Sequence, residues 1–312
     1  MKNFWQKLKR PFTVLAPMDN VTDNVFRQVV LEAGRPDVFF TEFTNADGLI
    51  YNSRGVSLRK LKFTPNQHPI VAQIWGTNTE NMEKASKLVA KLGFDGIDIN
   101  MGCPVREVIK KGAGAGMIGN LKLSETIIKA VKKGAGKIPV SVKTRLGINE
   151  NVAESWTMFL LSQNIATLTI HGRTAKEMSK VPADWEEIGK VVKIRDRIAP
   201  ETVIIGNGDV KSYEEIMEKC RKYGVDGVMV GRGILTDPWI FNSLQKEHIK
   251  EDYMCLLKKH IELFETTRRD IKHFAIIKKF FKMYIKGFKG ANTIRQKLMD
   301  TKSLNEIKSI IG

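Results

Sequence analysis

Residues 202–233 read TVIIGNGDVKSYEEIMEKCRKYGVDGVMVGRG, and this stretch contains the unit from which the fold is predicted. Its two ends, from Thr202 and from Gly227, are short apolar runs rich in β-branched residues, which is typical of strands buried on both faces. The segment 212–223 between them has the apolar spacing of a helix. The stretch therefore predicts a strand, a helix and a second strand.

The same alternation recurs along the first 240 residues of the chain. Comparable apolar runs begin at six earlier positions, namely Thr13, Val38, Pro69, Gly96, Pro139 and Thr167. Most segments between the runs read as helices, including Thr79–Leu92, Ser124–Lys133 and Val152–Gln163. Eight strand–helix units in about 240 residues match the size of a (β/α)8 TIM barrel of the α/β class. A doubly wound sheet is the alternative, ranked lower because eight is the barrel count.

From Phe241 onward the strand pattern stops. Helices are predicted over Leu256–Asp270, His273–Lys286 and Thr293–Met299. We therefore expect two domains, a barrel over residues 1–240 and a small all-helical C-terminal domain over residues 241–312.

The composition is that of an ordinary globular chain. Of its 312 residues, 42% are hydrophobic and 27% charged, which excludes disordered, repeat and collagen-like classes. We expect no membrane span and no secretory signal. The three cysteines, Cys103, Cys220 and Cys255, lack the paired spacing of disulfides or zinc sites and favour a reducing, cytoplasmic setting. We expect a monomer that binds no metal.

Charge gives the first functional indication. Lys and Arg total 51 and Asp and Glu total 34, so the net charge is +17. Residues 241–312 contain 16 basic and 8 acidic residues, and 271–299 contain eight basic residues and no acidic one. This excess favours a polyanionic partner, of which nucleic acid is the common one, although a merely solvated basic surface is the alternative. We interpret the aromatic residues of 271–299 as helix core.

The ends of the predicted strands carry polar or reactive groups. In barrel enzymes the carboxyl ends of the strands form the mouth of the barrel, where the active site lies. The last two endings are the glycine-rich GNGD from Gly206 and GRG from Gly231. Barrels frequently bind a phosphate on these two loops, where glycines let backbone N–H groups approach an anion and Arg232 can add a bidentate contact. Ordinary tight turns are the alternative. A phosphate-bearing cofactor is predicted, and FMN is the natural candidate.

Two other strand ends suit a flavin. A lysine at Lys143 is costly to bury without a negative partner, which a reduced flavin would supply. A structural ion pair with a carboxylate such as Asp98 is the alternative. The carboxamide of Gln73 can both donate to and accept from a flavin ring edge.

Cys103, in NMGCP, lies on a predicted mouth loop and is a candidate general acid or nucleophile. His171 is a candidate acid, base or orienting donor, with a hydrogen-bonded structural histidine as the alternative. The segment from Gly114 to Gly119 fits G-x-G-x-x-G, but it does not follow a strand and open a helix as a dinucleotide fingerprint does. We interpret it as a flexible loop near the mouth.

Six longer motifs extend these observations: LAPMDNVTD from Leu15, DINMGCP from Asp98, VKTRLG from Val142, HGRT from His171, NGDV from Asn207 and GRGILTDPWIF from Gly231. In order and approximate spacing they resemble the motifs of the tRNA-dihydrouridine synthase family, of the bacterial FMN-dependent type. The resemblance covers nearly the whole chain, and NMGCP is its most specific element.

The resemblance implies an FMN-binding barrel, NADPH or NADH as reductant, and a helical domain that binds tRNA. It implies that Cys103 is the proton donor in the reduction of uridine to 5,6-dihydrouridine. It assigns cofactor contacts to Pro17, Met18, Gln73, Lys143, His171, Asn207, Gly208, Asp209, Gly231 and Arg232. Asn100 and Arg173 are expected near the target base, and the acid-free stretch adds Lys279, Lys282 and Lys286 as tRNA contacts.

Two other functions are compatible with parts of the sequence. A flavin-dependent barrel reductase or dehydrogenase acting on a small molecule, such as a free pyrimidine, explains the phosphate loops and Lys143 but not the basic tail. A non-catalytic RNA-binding protein explains the charge but gives the strand-end groups no role.

Overall fold

The structure is a computed structural model that describes residues 3–51, 55–244, 246–268 and 273–312. The end of the predicted helix Leu256–Asp270 and residues 271 and 272 lie outside these ranges. The chain divides into two compact units. The first comprises Met1–Asp23, Pro36–Val210 and Glu214–Gly231, and the second comprises Asn24–Arg35, Lys211–Tyr213 and Arg232–Gly312. The domain boundary at residues 240 and 241 stays a prediction.

The first unit contains a parallel barrel, which confirms the predicted fold class. Its eight strands are β1 (Phe12–Leu15), β2 (Phe39–Phe40), β3 (Ile70–Trp75), β4 (Gly96–Met101), β5 (Val140–Gly147), β6 (Thr167–Thr174), β7 (Val203–Asn207) and β8 (Gly227–Val230). From β2 to β8 each strand pairs with the next one, and β8 pairs with β1. A parallel bridge between Val14 and Val38 closes the ring. A further two-residue strand, Thr44–Asn45, pairs with the end of β3.

Helices alternate with the strands of the first unit. They span Phe4–Lys7, Ala46–Tyr51, Val56–Lys60, Thr79–Lys91, Arg106–Lys110, Leu121–Ala135, Ala153–Ser162, Trp185–Ile198 and Tyr213–Tyr223, with 3-10 turns at Pro65–Gln67 and Gly114–Met117. The Leu121–Ala135 helix shows how the three- and four-residue spacing of apolar residues corresponds to a buried helix face. Asn120 caps its first turn by accepting the backbone N–H of Leu123, and its apolar face at Ile127, Ile128 and Val131 is buried.

The interior of the barrel has an apolar side and a polar side. The apolar cluster consists of Trp5, Phe12, Val14, Ala16, Val38, Phe40, Val71, Val203, Ile205 and Met229. The polar side, on β3 to β6, contains the buried residues Gln73, Asp98, Asn100, Ser141, Thr167 and Thr169. Barrel interiors are ordinarily filled by branched apolar side chains. The polar side is therefore the part of the interior that packing alone does not explain.

The second unit is helical. Its helices span Asn24–Ala33, Gly233–Thr236, Lys250–Arg268, Phe281–Tyr284, Ala291–Asp300 and Leu304–Ile311, with a 3-10 helix at Phe274–Phe280. Two elements differ from the prediction, because His273–Lys286 is a 3-10 helix followed by one α-turn, and Leu304–Ile311 was not predicted. Of the aromatic residues interpreted as core, Phe280, Phe281 and Tyr284 are buried, whereas Phe274 and Phe288 are partly exposed. None of the helices in the described ranges has the length and apolar character that crossing a bilayer requires.

Candidate active site at the barrel mouth

The polar groups of the barrel interior lie side by side on neighbouring strands. Gln73, Asp98 and Ser141 are in-register partners on β3, β4 and β5. Asn100 and Lys143 are partners one layer nearer the carboxyl ends of β4 and β5. In-register residues project from the same face of the sheet. Pairing thus assembles one polar group from residues that are far apart in the chain.

Asp98 is the most deeply placed of these groups and is fully buried. Its Oδ1 accepts a hydrogen bond from Ser141 Oγ at 2.6 Å, and its Oδ2 accepts one from Gln73 Nε2 at 2.7 Å. Burial raises the pKa of Asp98 to about 6, although both hydrogen bonds and the charge of Lys143 act in the opposite direction. A carboxylate in this setting is tolerated because both of its oxygens are bonded.

The hydrogen bonds continue from Gln73 to the loop that carries Cys103. Gln73 Oε1 accepts from Asn100 Nδ2 at 2.9 Å. Asn100 Oδ1 in turn accepts the backbone N–H groups of Gly102 at 3.1 Å and Cys103 at 2.9 Å. The end of β4 is therefore fixed by side chains that lie inside the barrel.

Cys103 lies at the mouth and is 9% exposed. Burial raises the pKa of its thiol, so the group carries a proton at neutral pH. Gly114 packs directly against it, because a Cβ atom at Gly114 would come within 2.9 Å of the Cys103 Cβ. The backbone N–H of Ala115 also bonds the Cys103 carbonyl at 3.1 Å. The interpretation of this segment as a flexible loop was wrong, since Gly114–Met117 is a 3-10 helix that holds the cysteine.

Lys143 lies at the same level as Asn100 and is half-buried. Its Nζ donates to Asn207 Oδ1 at 3.0 Å, and Asn207 Nδ2 donates to the Met229 carbonyl at 2.7 Å. Burial lowers the pKa of Lys143 to about 7; the charge of Arg145 lowers it further and that of Asp98 raises it. The ammonium therefore points to Asn207, while the Asp98 oxygens are bonded by other groups.

His171, Arg173 and Asp209 form a second cluster at the mouth. Arg173 NH1 lies 3.1 Å from His171 Nε2, and because a guanidinium only donates, this ring nitrogen accepts. Arg173 also donates from Nε to the Val181 carbonyl at 2.6 Å and forms an ion pair with Asp209. Asp209 Oδ2 accepts the backbone N–H of Ala183 at 2.8 Å. Arg173 is 2% exposed, and its contacts link the end of β6 to Val181 and Asp209. The predicted contact of Arg173 with the target base stays a prediction.

The remaining predicted cofactor residues of the first unit lie at the ends of β1, β7 and β8. Gly208 has a φ of +139°, and a Cβ atom there would come within 2.5 Å of the Ala183 Cβ, so this position requires glycine. A Cβ atom at Gly231 would meet only ordinary contacts, the nearer side chains being Ala16 at 3.8 Å and Met18 at 3.9 Å. Pro17 and Met18 are both partly exposed.

The other predicted contacts belong to the second unit. Arg232, Lys279 and Lys282 are exposed. Lys286 is partly buried and donates to the Thr236 carbonyl, and burial lowers its pKa. Lys286 is thus tied to its own unit, and the Nζ of Lys279 lies 5.0 Å from the centroid of the Phe280 ring.

The polar side of the barrel interior fits a flavin. The hydroxyls of Thr167 and Thr169 are buried and have no hydrogen-bond partner within the described residues, which is costly unless a bound group or water supplies one. Thr169 is the in-register partner of Lys143, whose side chain is open to the mouth. The pyrimidine edge of a flavin carries the donors and acceptors that Lys143, Gln73 and Thr169 can satisfy.

Three residues to which the sequence assigned no role contribute to this site: Ser141, Arg145 and Thr169. Ser141 and Arg145 were recognisable as inward-facing and strand-end residues, whereas Thr169 was not singled out. Arg145 is 7% exposed and donates from Nε to the Gly102 carbonyl at 2.8 Å and from NH1 to the Thr174 carbonyl at 3.0 Å. It therefore holds the Cys103 loop at the Gly102 carbonyl, whereas Asn100 holds it at the N–H groups of Gly102 and Cys103. Alternation along β5 was the available signal, since residues 141, 143 and 145 share one face.

The fold and the mouth together define a class, the (β/α)8 barrel proteins whose reactive groups gather at the carboxyl ends of the strands. The chain belongs to the dihydrouridine synthase family, which it matches over residues 14–311. Membership of this family makes it a flavin-dependent oxidoreductase.

Curated relatives agree with this assignment. The chain is 47% identical to the "Probable tRNA-dihydrouridine synthase" of Staphylococcus aureus strain Mu50, over 99% of this chain and 95% of that one. It is 46% identical to the "Probable tRNA-dihydrouridine synthase 2" of Bacillus subtilis strain 168, over 99% and 96%.

Solved structures agree with the fold alone. A 2-naphthoyl-CoA reductase complex covers 74% of this chain and 49% of its own, with a TM-score of 0.58 and 12% identity. The old yellow enzyme homologue of Zymomonas mobilis covers 74% and 86%, with a TM-score of 0.50 and 14% identity.

Proposed function

We propose that this protein is a tRNA-dihydrouridine synthase, which uses FMN and NADPH or NADH to reduce the C5–C6 double bond of specific uridines in tRNA. The observation that carries the proposal is the protonated Cys103 thiol, fixed at the barrel mouth beside the polar groups that suit a flavin. The names of the relatives and the basic second unit support the same substrate. A cytoplasmic location follows from such a substrate.

The chain's own residues bind and orient the cofactor. Gln73 and Lys143 would hold the flavin ring, and the Lys143 ammonium would stabilise negative charge on its pyrimidine edge. The glycine loops at Gly208 and Gly231 would receive the phosphate, and Arg232, the next residue in the chain, would add a charged hydrogen bond. Bound there and reduced by a nicotinamide nucleotide, FMN would supply a hydride equivalent to C6 of uracil.

Cys103 completes the reduction. Its thiol transfers a proton to C5 of uracil, which balances the hydride at C6 and leaves a saturated C5–C6 bond. The thiolate then regains a proton from solvent. A raised pKa serves this role, because a group that donates a proton must hold one before the reaction. Asn100 and Arg145 both keep the loop of Cys103 in place through hydrogen bonds to its backbone.

The target uridine must leave its stack to reach a buried thiol, as in other enzymes that modify bases. Holding the RNA in that state requires phosphate contacts outside the mouth. The exposed Lys279 and Lys282 of the second unit supply two such contacts.

The test uses the purified full chain. We expect it to retain FMN, to be reduced by NADPH or NADH without oxygen, and to be reoxidised by tRNA that lacks dihydrouridine. Mass spectrometry of the digested tRNA should show uridines that have gained two hydrogen atoms. Reoxidation by free uridine but not by tRNA would instead identify a small-molecule reductase, and a protein without flavin would contradict the proposal outright.

A further inference from the structure

The side-chain amides of Gln73 and Asn100 lie between Asp98 and the loop of Cys103, and they donate their hydrogen bonds in one direction. At one end, a carboxylate oxygen of Asp98 accepts from Gln73 Nε2. At the other end, the oxygen of Asn100 accepts two backbone N–H groups, those of Gly102 and Cys103. Between them, Asn100 Nδ2 donates to Gln73 Oε1. Every donor in this series points toward Asp98.

Chemistry fixes this direction at both ends. A backbone N–H can only donate, so Asn100 must present its oxygen to the loop. An ionised carboxylate can only accept, so Gln73 must present its nitrogen to Asp98. The two requirements are compatible with one arrangement of the two amides. If either amide turned over, two donors or two acceptors would face each other inside the barrel, which is costly in a buried site.

We propose that Asp98 is a positioning residue for Cys103, acting through Gln73 and Asn100 to hold the thiol where it meets the target base. The inference rests on the proposed function for its catalytic consequence but not for its structural one. Asp98 does not reach the mouth, since it is fully buried and lies one layer below Asn100. Its own position is fixed by Ser141, which bonds the second carboxylate oxygen. The effect of Asp98 is therefore transmitted by hydrogen bonds and not by contact.

The structure offers a conservative variant and a matched control. In Asp98→Asn, the new Oδ1 can still accept from Gln73 if the new Nδ2 faces Ser141, whose hydroxyl can accept as well as donate. The direction of the amides is then kept. In Asp98→Val, Gln73 Nε2 loses its acceptor. Thr157→Val is the control, because Thr157 is also a buried polar residue, bonds the Ala153 and Glu154 carbonyls of its own helix, and takes no part in the series.

Two measurements follow the position of Cys103. The first is the rate at which iodoacetamide alkylates Cys103 in the cofactor-free protein, read by peptide mass spectrometry, with the exposed Cys255 as internal reference. The second is a comparison of two rates, that of flavin reduction by NADPH and that of flavin reoxidation by tRNA. In Asp98→Val we expect alkylation to rise about fivefold, because the loop opens more often when its hydrogen bonds weaken. Reoxidation should slow about 100-fold, with flavin reduction within a few-fold of the parent rate.

Asp98→Asn and Thr157→Val should both resemble the parent protein in the rates of Cys103 alkylation and of flavin reoxidation. The proposal is overturned if Asp98→Val leaves alkylation and reoxidation unchanged, or if Thr157→Val alters them as much. Should Asp98→Val fail to fold, Asp98→Ser serves in its place, because its side chain is one bond too short to reach Gln73. If the parent protein is not reoxidised by tRNA while the alkylation pattern holds, the proposed function fails and the positioning role stands.

Discussion

Replacing Lys143 by Met should stabilise the cofactor-free protein although it removes a residue of the candidate site. Burial lowers the pKa of Lys143 from 10.5 to about 7. The folded protein therefore holds the charged form less well than the unfolded chain does. This cost is complete below about pH 7, declines between pH 7 and 10.5, and is absent above, where the lysine is neutral in both states.

A shift from 10.5 to about 7 corresponds to about 5 kcal/mol at pH 6. The gain from Lys143→Met is smaller, because water reaches the half-buried side chain and Asn207 loses a hydrogen-bond donor. These two effects leave a net stabilisation on the order of 2 kcal/mol, which raises Tm by about 5 °C for a domain of this size. Near pH 10 the advantage should be lost.

The assay is urea unfolding of the cofactor-free protein at pH 6, 8 and 10, followed by tryptophan fluorescence. Lys87→Met is the control, since Lys87 is exposed on the Thr79–Lys91 helix and should change nothing. A Lys143→Met protein that is less stable than the parent at pH 6, or whose advantage does not fall with rising pH, would refute the reasoning. Lys143→Met should also retain less flavin, because the ammonium is its proposed electrostatic partner.

Three further outcomes are expected. Cys103→Ala should keep NADPH-dependent flavin reduction nearly intact and slow reoxidation by tRNA by about 10² to 10⁴, measured by stopped-flow absorbance. Arg232→Ala and Gly208→Val should each lower the flavin content of the purified protein, the first by weakening phosphate binding by about 1.5–3 kcal/mol, and full flavin content in both would place the phosphate elsewhere. Lys279→Glu with Lys282→Glu should weaken tRNA binding and flatten its salt dependence while flavin content stays unchanged.

The charge-reversal experiment has a matched control on the barrel. Lys87→Glu with Lys91→Glu makes the same charge change on two exposed lysines near the carboxyl end of the Thr79–Lys91 helix. Helices of a (β/α)8 barrel run away from the mouth, so these lysines lie toward its opposite end. If both pairs weaken tRNA binding equally, the effect reflects net charge and not a site on the second unit.

Much of the fold could be predicted because the strands of a parallel barrel are buried on both faces. Such strands appear as continuous apolar runs, and all eight were found on that basis. The least accurate part was the C-terminal region. The 3-10 helix at Phe274–Phe280 buries Ile277 and Phe280, and the α-turn after it buries Phe281 and Tyr284. These residues have the three- and four-residue spacing of an α-helix, so periodicity alone does not separate the two kinds of helix.

The sequence could predict only those site residues that are recognisable from their place in a single strand. Cys103, Lys143 and Gln73 were recognisable because each ends a predicted strand. The partners of Asp98 were not, because its bonds to Ser141 and Gln73 depend on the register between β3, β4 and β5. The same limit applied to Gly114, whose packing on Cys103 depends on how the segment after β4 folds back over the loop.

The two sides of the barrel interior have different roles: the apolar side stabilises the fold, and the polar side carries the groups of the candidate site. The apolar cluster around Trp5 and Phe12 supplies burial, which is the main favourable term in folding. The polar side contains a carboxylate and an ammonium whose pKa values are both displaced by burial, so it contributes little to stability. Bonding Asp98 to Ser141 and Gln73, and Lys143 to Asn207, limits that cost while holding both groups in place. A barrel with apolar residues at these positions would be more stable, but it would have no means of orienting Cys103 or of balancing charge on a reduced flavin.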